Sequence, residues 1–336
     1  MLRWIKWFAI GVIGLAVTAA GGMVFFATQE LTFKPASVGY DLKLGSNLRG
    51  VARELQALGV LSAPGGAILF EILGRLRGDA PHIKAGNYEF ESPLTPLQLL
   101  QKMTRGDALQ SAVRFIDGWT FKQIRHALDT HDALKHDTQG LSNQAIARAL
   151  GIPDAQPEGW IFPETFHFSR GTSDLAVLRR AQRLMQTHLN AQWNKRAADL
   201  PLASHYEALI LASIIEKETG KAADRSMISS VFINRLRINM RLQTDPTVIY
   251  GMGDDFDGNL RRRDLQADTP WNTYTRGGLP PTPIAMPGLA SIQAALNPAQ
   301  SKMLYFVARG DGSSQFSRTL DEHNAAVTKY QRSGKK

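Results

Sequence analysis

Residues 7–27 (WFAIGVIGLAVTAAGGMVFFA) carry no charge, a run long enough to cross a hydrocarbon core of about 30 Å. Arg3 and Lys6 precede it, and Gln29 and Glu30 follow. The positive-inside rule then leaves residues 1–6 in the cytoplasm and everything after residue 30 outside. A cleaved signal peptide is the alternative, since Thr18-Ala19-Ala20 resembles a small-residue cleavage site. The apolar run continues past that point to Phe26, which favours an uncleaved anchor. Residues 28–41 read as a linker. Over 47–58, Leu48, Val51, Leu55 and Leu58 fall on one helical stripe, with Gly59 placed to end it. Residues 67–76 read as a second apolar helix, and 84–90 alternate like a strand. Residues 95–104 read as a helix with Thr95 as N-cap, Pro96 in the first turn and Gly106 as stop.

From residue 111 onward both periods occur. Strands are expected at 113–116, 303–307 and 314–316, and helices at 121–128, 143–150, 174–193, 206–219 and 224–237. The helix at 206–219 is the most apolar one after the N-terminal run, and 224–237 reads as a surface helix. Residues 280–287 are dense in proline and must be extended or turning. Because strands and helices do not alternate regularly, the expected architecture is α+β. A small α/β module over 42–110 would precede a larger mixed domain over 111–336.

Composition changes this picture little. The net charge of +9 suits an anionic neighbourhood such as nucleic acid, a membrane surface or an acidic wall polymer. The basic residues are spread out, so a solvated positive surface explains them equally well. The chain has no cysteine, which excludes disulfides, thiolate catalysis and thiolate metal sites. None of the histidines has a tight metal-ligand spacing, so no metal is expected. Neither a nucleophile elbow nor a phosphate-cradling glycine loop is present. Ser213 with the distant His323 is a conceivable pair, without local support.

The helix at 206–219 ends with two acids. Leu211, Ile214, Ile215 and Glu218 fall at i, i+3, i+4 and i+7, so Glu218 extends an apolar stripe. Glu216 lies roughly 200° around the helix, with Leu209, Ala212 and Ser213. The two carboxylates therefore do not enter one cleft from this helix. A carboxyl against apolar side chains loses solvation, and its pKa rises. The helix C-terminus at Gly220 pushes the same way. A glutamate so placed can act as a general acid, but spacing alone favours the plainer alternative, an exposed last turn in which it pairs with Lys221 or Arg225. Downstream, Gln243-Thr244-Asp245 and Trp271-Asn272-Thr273-Tyr274 carry groups able to hold sugar hydroxyls and faces, and both are also good turn sequences. Phe162-Pro163-Glu164-Thr165 supplies a further carboxylate.

Several long segments resemble the YceG-like family of endolytic murein transglycosylases, in that family's order. They are ASIIEKET from Ala212, VFINRLRINMRLQTDPTVIYGMG from Val231, WNTYTRGGLPPTPIAMPG from Trp271 and LYFVARGDG from Leu304. PEGWIFPETF from Pro157 and KAGNYEF from Lys84 resemble upstream motifs, although the family often has an aspartate where Glu164 stands. The resemblance implies a bacterial inner-membrane protein with a single span, a cytoplasmic N-terminus, a LysM-like subdomain over 42–110 and a periplasmic catalytic domain over 111–336. It assigns the catalytic acid to the second glutamate of E-K-E-T, Glu218, and implies cleavage that leaves 1,6-anhydro ends. Gln243, Asp245, Asn272 and Tyr274, with Glu164, become candidates for positioning the glycan. No cofactor is required. Strand termination would bring in peptidoglycan synthases as partners, and the outside topology argues against nucleic acid. The alternatives are a hydrolytic muramidase using Glu164 or Asp245 as second acid, and a wall-binding protein without activity.

Overall fold

The computed structural model describes residues 2–43, 45–107, 110–153, 156–218 and 221–332. The chain divides into two units, one of Met1–Ser111 with His167–Gly171, the other of Ala112–Phe166 with Thr172–Lys336.

The first unit starts with helix α1 (Leu2–Thr28), in which Lys6–Thr28 is long and apolar enough to cross a membrane. Strand β1 (Ser37–Leu42), helices α2 (Leu48–Ala57) and α3 (Gly66–Leu76), strand β2 (Gly86–Glu91) and helix α4 (Pro96–Arg105) follow. β1 and β2 pair antiparallel, with Val38 opposite Phe90 and Tyr40 opposite Tyr88. Val38, Tyr40, Leu42, Tyr88 and Phe90 are buried against Leu48, Leu55, Phe70, Leu99 and Met103 of the helices. The tyrosine hydroxyls are satisfied within this core. Tyr40 donates to Glu54 at 2.8 Å, and Tyr88 to the Lys84 carbonyl at 2.6 Å. The expected boundaries of α4 appear as a Thr95–Gln98 capping box, Pro96 in the first turn and Gly106 at φ 81°.

Residues 28–41 differ from the expected linker. Leu31 and Phe33 are buried, Leu31 exchanges backbone hydrogen bonds with Leu94, and residues 37–42 form β1. The period-2 burial of Val38, Tyr40 and Leu42 was obscured because Gly39 and Asp41 between them are poor strand formers.

Strand β3 (Gln110–Arg114) carries the chain onward. The second unit continues with α5 (Phe121–Asp129), β4 (Leu134–Lys135) and α6 (Asn143–Leu150). Strands β5 (Thr165–Ser169) and β6 (Thr172–Ser173) precede α7 (Asp174–Trp193), α8 (His205–Glu218), α9 (Arg225–Arg237) and α10 (Asp245–Met252). The last elements are α11 (Arg262–Gln266), α12 (Leu289–Leu296), the hairpin strands β7 (Tyr305–Ala308) and β8 (Ser314–Ser317), and α13 (Leu320–Val327). The mixed α+β class is as expected. Thr219 and Gly220, expected to end the α8 helix, lie outside the described residues.

Helix α8 is the axis of this unit. Every residue from Ala208 to Ile215 is buried, and α12, α9, α7 and α10 pack around it. The proline-rich segment over 280–287 runs against it. Ser213 Oγ accepts from the Ile284 N–H at 3.0 Å and donates to the Ile210 carbonyl at 2.7 Å. Met286 exchanges backbone hydrogen bonds with Gly118 and Trp119. Helix α9 is not the expected surface helix, because Ile228 to Ile233 are all buried, as is Arg235. Helices α10 and α12 were not anticipated. α12 is apolar almost all round, and such a short run cannot be told from a buried strand by its period.

The segment over 280–287 is fitted closely at Gly159. This glycine has φ 81°, and an added Cβ would lie 2.5 Å from the Pro283 ring. Gly159→Ala is therefore expected to destabilise by about 2–4 kcal/mol, combining left-handed strain with overpacking, and thermal unfolding checks it.

Candidate active site

Burial of α8 on every side brings its last turn to a pocket of about 520 Å³ in the second unit. Glu218 opens onto this pocket, with Arg235, Gln243, Asp245, Tyr274, Tyr305 and His323 around it. Glu218 is half-buried, and its Oε1 accepts a short hydrogen bond from the Thr244 hydroxyl. Arg225, the partner that an exposed last turn would have offered, lies 3.7 Å from Glu216 instead. Glu216 points the other way and accepts from the Gly288 N–H at 3.0 Å. The two acids thus separate as their spacing around the helix requires.

Burial pushes the Glu218 carboxyl up to about 7. The Thr244 hydroxyl opposes this by stabilising the carboxylate, Asp245 reinforces it by charge repulsion, and Arg235 lowers it. Burial wins because the carboxylate has lost most of its water and gained one hydroxyl.

Thr244 is held in place by a hydroxyl network. It precedes α10, and its N–H donates to Thr273 Oγ1 at 3.1 Å. Thr247 bonds both the Thr244 carbonyl, at 2.7 Å, and Thr273 Oγ1, at 2.9 Å. Gln243 sits at φ 47°, a left-handed conformation that a side chain adopts at a cost. Thr244→Val should remove the bond that favours the carboxylate and raise the Glu218 pKa by roughly one unit. The alkaline limb of the pH–rate profile should move upward by that amount, which a profile between pH 5 and 9 will read.

Of the sequence candidates, Gln243, Asp245 and Tyr274 join Glu218 at the pocket. The Tyr274 hydroxyl donates to Asp245 Oδ1 at 2.5 Å. Burial, then Asp245, holds the Tyr274 hydroxyl well above the usual tyrosine range, so it stays a donor. Asn272 is not at the pocket. Fully buried, it donates to the Ala267 and Leu265 carbonyls at 2.6 and 3.1 Å and accepts from the Tyr274 N–H at 2.8 Å. Its effect on the pocket is to shape the turn that carries Tyr274. Glu164 lies elsewhere too. It is exposed, accepts from the Thr165 N–H at 2.9 Å and acts electrostatically on Asp117. Ser213 and His323 form no pair, since Ser213 is spent on backbone groups and His323 stacks on Tyr305 at 5.2 Å.

Three residues of the site, Thr244, Arg235 and Tyr305, carry no signal of their role in the sequence. Thr244 stands there only as one residue of a polar segment. Arg235 is buried, donating at 2.7 Å to the carbonyls of both Leu304 and Leu242 while lying over the Tyr305 ring. It ties β7 to the segment that leads into α10. Among the described residues no group of three His, Asp or Glu could hold a metal ion.

The site so defined is one elevated carboxyl facing a pocket of mixed polar and apolar walls, a general acid–base arrangement. The sequence profile of the YceG-like family matches residues 40–329. A Bacillus subtilis protein named endolytic murein transglycosylase is 32% identical over 88% of this chain and 85% of its own. A Streptococcus pneumoniae protein of the same name is 24% identical over 85% of this chain, which spans 57% of that longer relative. The crystal structure of a YceG-like protein from Listeria monocytogenes superposes with a TM-score of 0.54 at 29% identity, covering 86% of this chain and 98% of its own. The chain belongs to the YceG-like family.

Proposed function

We propose that the chain is an endolytic murein lytic transglycosylase in which Glu218 is the acid and base. The observation that carries this reading is the half-buried Glu218 carboxyl, raised to about 7, facing a pocket with amide, hydroxyl and aromatic groups. The protonated acid gives its proton to the glycosidic oxygen between N-acetylmuramic acid and N-acetylglucosamine, and the bond from that oxygen to C1 breaks. The carboxylate left behind, supported by the Thr244 hydroxyl, takes the proton of the muramic acid 6-hydroxyl as that oxygen bonds to C1. A 1,6-anhydro end forms, Glu218 recovers its proton and no water is consumed. An internal nucleophile needs no second carboxylate. Gln243, Asp245 and Tyr274 position the glycan, and Asn272 supports Tyr274.

A hydrolytic muramidase is the second reading, because Asp245 also lines the pocket. Its Oδ1 accepts the Tyr274 hydroxyl, which favours a positioning role. Cleavage in ¹⁸O-labelled water separates the two. Lytic transfer leaves anhydro ends without label, whereas labelled reducing ends would establish hydrolysis.

The wider assignment follows the same reading. Residues 7–27 anchor the chain in the inner membrane with residues 1–6 inside, and the catalytic domain over 111–336 lies in the periplasm. Residues 42–110 form most of a LysM-like module that β1 extends back to Ser37, and the β1–α2–α3–β2 order supports this, as does a cleft of about 750 Å³ lined by Asn47, Arg49, Glu71 and Arg75. Cutting of new strands near the membrane would end their elongation, with peptidoglycan synthases as partners.

A further inference from the structure

Helix α3 presents an apolar stripe to solvent. Ile68, Ile72 and Leu76 recur every four residues and are 64%, 40% and 73% exposed, while Phe70, Leu73 and Gly74 face the core. A soluble unit gains nothing from three large aliphatic side chains aligned in water. We propose that this stripe lies in the boundary between headgroups and acyl chains of the bilayer that α1 crosses, so that the first unit sits on the membrane surface by α3. This rests on the reading of α1 as a membrane anchor.

Helix length and packing place α3 at that level. From Lys6 to Met23 a helix rises about 26 Å, short of a hydrocarbon core of about 30 Å. Reaching that thickness takes the helix to about Phe26, and tilt would require still more residues. Yet Met23 already packs against the core of the first unit, and Phe26 and Ala27 are part of it. Over the same turn Val24 and Phe25 remain exposed and apolar. Helices α3 and α4 both pack against α1. The bilayer therefore extends to the level at which α3 lies beside α1. With Leu31 and Phe33 buried in the same core, no slack segment lets the unit lift away. Apolar helix faces in this setting sink about 5–10 Å into the interface.

The absence of cysteine makes the test direct. Single cysteines at Val17, Ile68, Ile72 and Leu76 of the full chain, each labelled with an environment-sensitive fluorophore, are reconstituted in liposomes. Nitroxide lipids of shallow or deep label position, and aqueous iodide, serve as quenchers. The expected result is strong shallow-nitroxide quenching at 68, 72 and 76, severalfold weaker iodide quenching than in the urea-unfolded chain, and deep-nitroxide quenching at 17. Free iodide access at 72, with 17 still deep, would overturn the proposal while leaving the anchor intact. Protection from both quenchers at 72 would overturn it as well, since protein would then cover the stripe. A label at 17 that deep nitroxides do not reach would reject the anchor itself, and the proposal with it.

Discussion

Glu218→Gln is expected to lower the rate of glycan cleavage by about a thousandfold or more, since general acid–base catalysis contributes about 10²–10⁴ and here one residue serves both half-reactions. The substitution keeps the size of the side chain and its contact with Thr244, so the fold should persist. Stability should in fact rise at alkaline pH. The carboxyl is near 7 in the folded chain and near 4.5 when exposed in the unfolded one. Below the lower value both states hold the proton and nothing is lost. Between the two values the unfolded chain ionises first, so native stability declines as pH rises, and above 7 the loss is complete. A neutral amide has no such loss. Glu218→Gln should therefore be more stable than the wild type by about 1–3 kcal/mol at pH 8 and unchanged at about pH 3.5. Glu158, buried and also raised to about 7 by burial, is present in both proteins and cancels. Thermal unfolding at the two pH values, beside cleavage rates, reads both effects. An inactive variant with unaltered pH dependence of stability would mean that Glu218 is not the elevated carboxyl. In the wild type, activity should fall tenfold per pH unit above about 7, as the acid is lost.

Arg235→Met should be the most damaging substitution that leaves Glu218 in place. The guanidinium is buried and donates to the carbonyls of Leu304, Arg241 and Leu242. Methionine fills much of the volume but satisfies none of these acceptors. Stranding buried carbonyls that had a charged donor costs about 3–5 kcal/mol, which for a unit of this size lowers the melting temperature by roughly 10 °C. Activity should fall as well, because β7 and the segment before α10 form two walls of the pocket. Removing a cation that lowers the Glu218 pKa should also carry the alkaline limb of the rate profile upward. Lysine in place of Arg235 is expected to recover little, since one ammonium cannot reach carbonyls on both sides as the planar fork does. Denaturation and the pH–rate profile of the two variants check this.

Part of the fold and of the candidate site was legible because it rests on local rules. Glu218 continued the apolar face of α8, and the separation of Glu216 followed from helix geometry alone. The caps of α4 were readable from Thr95, Pro96 and Gly106. What could not be read were relations between distant segments. Arg235 lies on a helix whose polar residues suggested a surface, and its acceptors are carbonyls, which leave no mark in a sequence. Thr244 differs from any threonine of a polar turn only by facing Glu218 from 26 residues away. Asn272 shows the converse case. An amide in an aromatic, hydroxyl-rich segment suits a sugar, yet the folded chain uses it to close its own turn. α12 was hidden because burial on every side erases the amphipathic period.

The most direct test of the account is mass spectrometry of uncrosslinked glycan strands digested by the full chain in detergent, wild type beside Glu218→Gln. Internal fragments with 1,6-anhydro ends are expected from the wild type and none from the folded variant. Reducing ends from the wild type, or continued cleavage by the variant, would contradict it.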